Sequence, residues 1–308
     1  MNKVWVTGDA VVDLIPEGEN CYLKCPGGAP ANVAVAVSRL GGESGFFGRV
    51  GQDPLGRFIK QVLTDEGVDT QKMHLDDMQR TSTVIVDLDE HGERSFTFMV
   101  KPSADQFLQE TDIPVFTANQ WLHVCSIALA NEPSRSNTLL AMQQIKQLGG
   151  FVSFDPNLRH EVWPDQNEIK AIVLQAVALA DVVKFSDDEL LYLTETDNLD
   201  DGLKAIKQYA NKLVLITQGA KGALVITQGK QQLITGKAIK PVDTTGAGDA
   251  FVGGLLAYLA QSAKWENIEY IFQAVRWANS CGALATSQKG AMTALPNKNE
   301  LSQYLSNL

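Results

Sequence analysis

Asp243-Thr244-Thr245-Gly246-Ala247-Gly248-Asp249-Ala250-Phe251 puts two glycines and a carboxylate where a helix is expected to begin. Phe251, Leu255, Tyr258 and Leu259 recur at helical spacing with no intervening proline, which predicts a helix from Ala247 to about Ala260. Its first N–H groups lack intrahelical acceptors. With the positive end of the helix dipole they form an anion site that glycine lets a ligand approach closely. An ionised Asp249 beside that site repels a resting phosphate, so its presence needs a reason. As a general base it accepts the proton of an attacking hydroxyl, while the amides of Gly246, Ala247 and Gly248 hold the transferring group. Two other readings compete. An Asp in a first turn commonly serves the helix terminus alone. Gly246-x-Gly248 also opens like a dinucleotide fingerprint, but Phe251 stands at the third glycine position and the segment lies far from any opening βαβ unit.

A chain of 308 residues with 44% hydrophobic content can bury a large core as one α/β domain. Its net charge of −10 and the lack of a basic run argue against nucleic acid as a partner. Binding of polyphosphate must then rely on local positive potential, from helix N-termini and a divalent cation. Cys21, Cys25, Cys125 and Cys281 are few and spread, as expected of reduced thiols in a cytoplasmic protein. Cys21-x-x-x-Cys25 has no second pair at zinc-ligand spacing, and the four histidines belong to no H-E-x-x-H. Without G-x-S-x-G either, a metallohydrolase or a serine hydrolase is disfavoured. The opening Val4-Trp5-Val6-Thr7-Gly8-Asp9 is too short for a signal peptide, and no transmembrane run occurs.

Along the chain, Lys3–Thr7 reads as a buried strand ending in Gly8-Asp9, the end at which open α/β sheets bind ligands. A helix follows over Pro30–Leu40, then a strand over Ser44–Val50, then a helix started by Asp53-Pro54 and ended by Gly67. Thr81–Asp87 and Arg94–Val100 flank Asp89-Glu90-His91-Gly92, which predicts a hairpin. With a strand around Cys21–Lys24 it predicts a small β-sheet lid, its strands near 14–25 and 80–104. Trp121–Val124, Phe151–Asp155, Asp181–Phe185, Leu213–Thr217 and Ala223–Thr227 read as further strands separated mostly by helices. The expectation is an α/β fold, a mostly parallel sheet sandwiched by helices, in a single domain over 1–308.

Two separated motifs point the same way. Gly27-Gly28-Ala29-Pro30-Ala31-Asn32-Val33-Ala34 and Asp243–Leu255 resemble the two signatures of the ribokinase-like (PfkB) family of sugar kinases, and Gly8-Asp9-Ala10-Val11-Val12-Asp13 fits the same family. The resemblance runs from about residue 3 to Pro296. Gly8–Leu14, Cys25–Ala34, Arg94–Asp105, Asp155–Arg159 and Lys289–Pro296 are similar to the bacterial fructokinases of sucrose utilisation.

The resemblance implies roles residue by residue. Asp13 and Asn32 would bond sugar hydroxyls, as a carboxylate and an amide can each bond two neighbouring ones, although Asn also commonly caps turns. Gly27 and Gly28 would let the backbone approach the sugar. Lys101, where relatives commonly have Arg, and Arg159 would complete the substrate side; Phe96 and Phe98 either press on the sugar or pack the hairpin. For ATP the family offers Lys184, Glu189, the turn Thr217-Gln218-Gly219-Ala220-Lys221-Gly222 with Thr217, Gly219 and Gly222, and Asn279 beside adenine. Glu189 would organise Mg²⁺ through water, and Ser186–Glu189 equally reads as a capping box. Asp243 and Thr245 stand where relatives bind K⁺, with the Thr286–Ala291 turn supplying carbonyls, and Ala294 where some ribokinases have a serine ligand. No G-x-x-x-x-G-K-[ST] is present, so ATP is not expected on a Walker loop.

The resemblance thus implies ATP-dependent phosphorylation of fructose to fructose 6-phosphate in a cytoplasmic enzyme, with relatives that pair as dimers through their lids. Aminoimidazole riboside kinase and ribokinase are the alternatives among kinases. A non-catalytic sugar sensor is the alternative of another class, whose mark would be loss of Asp249 or of Gly246–Gly248.

Overall fold

The structure, a computed structural model, describes residues 2–18, 20–88, 94–237 and 239–306. The chain opens with β1 (Val4–Thr7), then the pair β2 (Val11–Glu17) and β3 (Cys21–Gly27), α1 (Ala29–Arg39), β4 (Ser44–Gly51), α2 (Pro54–Asp65) and β5 (Met73–Asp76). After β6 (Thr83–Leu88) and β7 (Arg94–Phe98) come β8 (Trp121–Cys125), α3 (Ser134–Gln147), β9 (Phe151–Asp155), α4 (Ile169–Leu179) and β10 (Val182–Ser186). They are followed by α5 (Asp187–Thr194), α6 (Leu199–Ile206), β11 (Leu213–Thr217), β12 (Ala223–Thr227) and β13 (Lys230–Ile234). Three helices close the chain: α7 (Ala247–Leu259), α8 (Ile268–Ala285) and α9 (Lys298–Ser306).

Nine strands form one sheet in the order β13-β12-β11-β10-β9-β8-β1-β4-β5, and four form a second in the order β3-β2-β6-β7. Within the large sheet only β12 runs against its neighbours among the described strands. The order reverses at β1: the chain first adds β4 and β5 on one side, then returns to add β8 and its successors on the other. Such a reversal parts the crossover connections and opens a crevice at the C-terminal strand ends. The small sheet rises from that edge, since β2 starts four residues after β1 ends.

Strand periodicity divides the core between two faces. Val4 and Val6 of β1 pack with α1, α7 and α8, whereas Trp5 joins α3 and α4 on the other face. In β11, Leu213 and Leu215 face the first cluster and Val214 and Ile216 the second. Glycine lets α7 come close to α1: a Cβ at Gly253 would lie 2.3 Å from that of Ala36. Asp53 caps α2 through the amides of Leu55 and Gly56 at 3.0 and 2.8 Å, with Pro54 in the first turn.

The expected sandwich is observed, and the differences are local. The strand expected at Cys21–Lys24 runs on to Gly27, and its partner β2 had no separate expectation. Pro16 breaks the strand pattern there; it is accommodated because the β6 ladder on that side ends at Leu14. The expected β-turn at Asp89-Glu90-His91-Gly92 lies outside the described residues, while β6 and β7 do pair antiparallel. β5 and β13 also lacked an expectation: they are short strands at the two sheet edges, and β13 is exposed over Lys230–Leu233, so no apolar alternation marks it. No helix among the described residues is long and apolar enough to cross a membrane.

Candidate active site

The N-terminus of α7 is built by Gly246, which caps the helix with φ 76°. A side chain there is opposed twice, by the left-handed backbone and by Ala291, whose Cα would lie 2.9 Å from the added Cβ. The Ala247 amide turns back onto the Thr244 carbonyl at 3.2 Å. Of the three amides expected to face an anion, that of Ala247 is therefore engaged within the turn.

Asp249 is buried one residue further on. Its Oδ2 accepts from Asn32 Nδ2 at 2.7 Å, and Asn157 Nδ2 lies 3.5 Å from its Oδ1. Burial raises its pKa above the usual carboxylate value, against the opposing pull of Asn32, Lys184 and Arg159. Lys184 comes from the neighbouring β10 and sits 3.6 Å from where a Gly248 Cβ would lie, so its ammonium borders the helix N-terminus. Asp155, at the end of β9, grips it at 2.9 and 3.1 Å. Burial works against the Lys184 charge, but Asp155, Glu189 and Asp249 outweigh it and hold the pKa above that of an ordinary lysine.

Among the residues expected to meet the sugar, Gly27 lies against Asp13: its added Cβ would fall 2.5 Å from Asp13 Oδ2. Gly28, at φ 99°, presses on the Asp9 carbonyl, 2.5 Å from an added Cβ. Asn32, one turn into α1, donates its backbone N–H to the Gly28 carbonyl at 2.8 Å. Its NH₂ is on Asp249, and its Oδ1 is buried without a hydrogen-bond partner among the described residues. Asp13, Gly27, Gly28, Asn32 and Asp249 are thus brought to one place. Arg159 donates to the Leu158 carbonyl at 2.9 Å and is near enough to draw down the pKa of Asp249 and Asp9. Lys101 is exposed and donates to the Glu161 carbonyl at 2.9 Å, which ties it to the loop after β9 rather than to Asp13 and Asn32. Phe96 is exposed while Phe98 packs on the second core cluster, so packing accounts for the latter.

Among the residues expected to meet the nucleotide, Ser186 and Glu189 make the capping box that their spacing also allowed, Ser186 N and Oγ donating to Glu189 Oε2 at 2.9 and 3.0 Å. Glu189 Oε1 accepts from the Leu158 amide at 3.0 Å. Thr217 Oγ1 donates to the Phe185 carbonyl at 3.2 Å, and Gly219 and Gly222 take φ of 54° and 102° in the turn after β11. Asn279 Nδ2 donates to the Ile234 carbonyl at 2.8 Å, the atom that an added Gly222 Cβ would approach to 2.2 Å. Asn279 and the turn therefore meet at the end of β13. Asp243 joins the approach to α7 to the turn after α8: Oδ1 accepts from Thr245 N and Oγ1 at 3.0 and 2.7 Å, and Oδ2 from Gly290 N at 2.8 Å. No group of three or more His, Cys, Asp or Glu suited to a metal occurs among the described residues.

Four residues of this region were missed as site candidates. Burial, with Asp105 adding repulsion, pushes Asp9 up to about 7; burial also takes Asp105 and Asp155 to about 6. Asp9 and Asp155 carried a signal, an acid at the C-terminal end of a buried strand. Asp105 and Asn157 carried none beyond their place in matched stretches.

A model of the pfkB family of carbohydrate kinases matches residues 1–298. A fructokinase of Vibrio alginolyticus is 62% identical over 99% of this chain and 99% of its own. The structure is similar to a fructokinase double mutant of Vibrio cholerae O395 in its fructose, ADP and potassium ion bound form, at TM-score 0.96 and 65% identity over 99% of this chain and 98% of that one. It is also similar to the aminoimidazole riboside kinase of Salmonella enterica complexed with aminoimidazole riboside and an ATP analogue, at TM-score 0.93 and 42% identity over 99% and 100%.

Proposed function

The chain belongs to the pfkB family of carbohydrate kinases, and from that membership we propose how its crevice works as a fructokinase, converting fructose and ATP to fructose 6-phosphate and ADP. The observation that carries the chemistry is the buried Asp249 on the glycine-capped N-terminus of α7, with the Asn32 amide on one oxygen and the Lys184 ammonium nearby.

Asp13 and Asn32 hold sugar hydroxyls, with Gly27 and Gly28 keeping side chains out of the way. Arg159 supplies positive charge to the same chamber. Asp249 takes the proton of the primary hydroxyl as its oxygen attacks the terminal phosphorus of ATP. The bond to the ADP oxygen breaks, and the proton stays on Asp249 until it passes to solvent. Amides of the first turn of α7 stabilise the transferring group, with Lys184 on the phosphate oxygens. The Thr217–Gly222 turn and Asn279 border the nucleotide. Glu189 fits a role toward Mg²⁺ through water: Oε2 is taken up by Ser186 N and Oγ, and Oε1 keeps a lone pair beyond its bond to Leu158 N. Mg²⁺, when bound, neutralises charge on the phosphates. Asp243, Thr245 and the Thr286–Ala291 turn offer only hard oxygen donors, which suits K⁺.

The small sheet reads as a lid that excludes water and so limits ATP hydrolysis. Its exposed Tyr22, Leu23 and Phe96 favour a second copy of the chain as partner, and sedimentation of Tyr22→Asp beside the parent protein checks that pairing: an unchanged mass contradicts it. The free thiols of Cys21, Cys125 and Cys281 suit the cytoplasm.

ADP release with Mg-ATP, measured across fructose, ribose, aminoimidazole riboside and glucose in K⁺ and in Na⁺ buffer, tests the substrate and the cation. Turnover favouring fructose and faster in K⁺ is expected. Preference for the riboside would move the protein to the other kinase, and silence on every sugar would leave a sensor.

A further inference from the structure

Both oxygens of Asp249 face a primary amide, but only one amide came from a sugar-binding motif. Asn157, opposite Asn32, sits on the turn after β9 with a left-handed φ of 42°, a conformation that Asn tolerates better than most residues. The turn is fastened on both sides of it. The Pro156 carbonyl accepts from Ser126 N at 3.1 Å, and Leu158 N donates to Glu189 Oε1 at 3.0 Å. Glu189 is fixed in turn by Ser186 at the head of α5. A short side chain on so constrained a backbone has little room to swing, and its amide stays 3.5 Å from Asp249 Oδ1. Catalytic contacts that are long before substrate binds commonly tighten in the complex.

We propose that Asn157 is a positioning residue for Asp249, held on its turn by Glu189, so that the nucleotide side of the crevice and the base share one stiff connection. The inference rests on the reading of Asp249 as general base. A donor on Oδ1 favours the ionised carboxylate and fixes the plane in which its lone pairs meet the sugar hydroxyl.

Asn157→Gly keeps the left-handed turn without strain and removes only the amide. Its kcat on fructose is expected to fall about tenfold or more, with KM for ATP within about twofold of the parent value. The acid limb of the pH profile of kcat/KM for fructose moves to higher pH, because Asp249 loses a donor to its charged form. Asn157→Asp preserves shape and turn but sets a like charge beside the base, and moves that limb further up. If Asn157→Gly leaves both kcat and the limb in place, the proposal is overturned. A fall in kcat with an unmoved limb also overturns it, since that is the mark of general structural damage. Asp249→Asn, assayed alongside, separates the two readings: normal turnover by that variant removes the base itself, and with it the role of Asn157.

Discussion

Asp9, Asp105, Asp155 and Asp249 are all buried around the crevice, and all titrate above the ordinary carboxylate range. Asp155 has Lys184 as partner, whereas Asp9 Oδ1 is buried without a hydrogen-bond partner among the described residues. A buried carboxylate left this way costs stability, and such costs concentrate where a protein does chemistry. Because the folded pKa of Asp9 is raised to about 7, the folded protein keeps a proton there that the unfolded chain gives up. The stability linked to this group is full below the usual carboxylate pKa and is lost as pH rises through about 7. Asp9→Asn, which cannot ionise, is therefore expected to raise Tm by about 2–5 °C at pH 8 and by less at pH 5. Thermal melts at the two values check it, and an equal or larger gain at pH 5 contradicts the assignment.

At the level of elements, the site depends on how closely α7 is seated. Gly253 faces Ala36 of α1 and Gly254 faces Cys281 of α8, where added Cβ atoms would lie 2.3 and 2.6 Å from Ala36 Cβ and Cys281 Sγ. Gly253→Val must push α7 off α1 and is expected to cost about 1–3 kcal/mol in urea unfolding. Since Asn32 and Asp249 ride on those two helices, kcat on fructose should fall with it; a variant of parental stability and activity would show that the contact yields freely.

The same elements explain what could be read beforehand. Gly246 was legible as a glycine at a helix start, whereas Gly28 was singled out only through the family resemblance, and the positive φ of both appears only in the structure. The capping signals Asp53-Pro54 and Ser186–Glu189 were legible because they are local. Pro16 hid β2, since only the extent of the β6 ladder makes it acceptable. β5 and β13 gave no periodicity to read at the sheet edges. Asn157 was hidden for another reason: its partner is 92 residues away, and an Asn in a turn looks the same whether or not its amide reaches a base. Lys101 was placed with the sugar by similarity, and only the loop carrying Glu161 shows where its ammonium goes.

For the whole molecule, the reversal at β1 gathers groups distant in sequence at one edge: Asp13 from β2, Asn32 from α1, Lys184 from β10 and Asp249 from α7. A protein of net charge −10 that handles ATP must make its positive potential locally. On the function proposed above, the α7 N-terminus, Lys184 and Arg159 do so within one crevice, beside the buried acids Asp9, Asp105, Asp155 and Asp249. The decisive comparison is ADP release by Asp249→Asn and by the unaltered protein at saturating fructose and Mg-ATP. With a base at this position kcat falls by roughly 10²–10⁴ while ATP affinity changes little. A folded Asp249→Asn protein with near-normal kcat would take Asp249 out of proton transfer and leave the crevice without the group on which its chemistry is built.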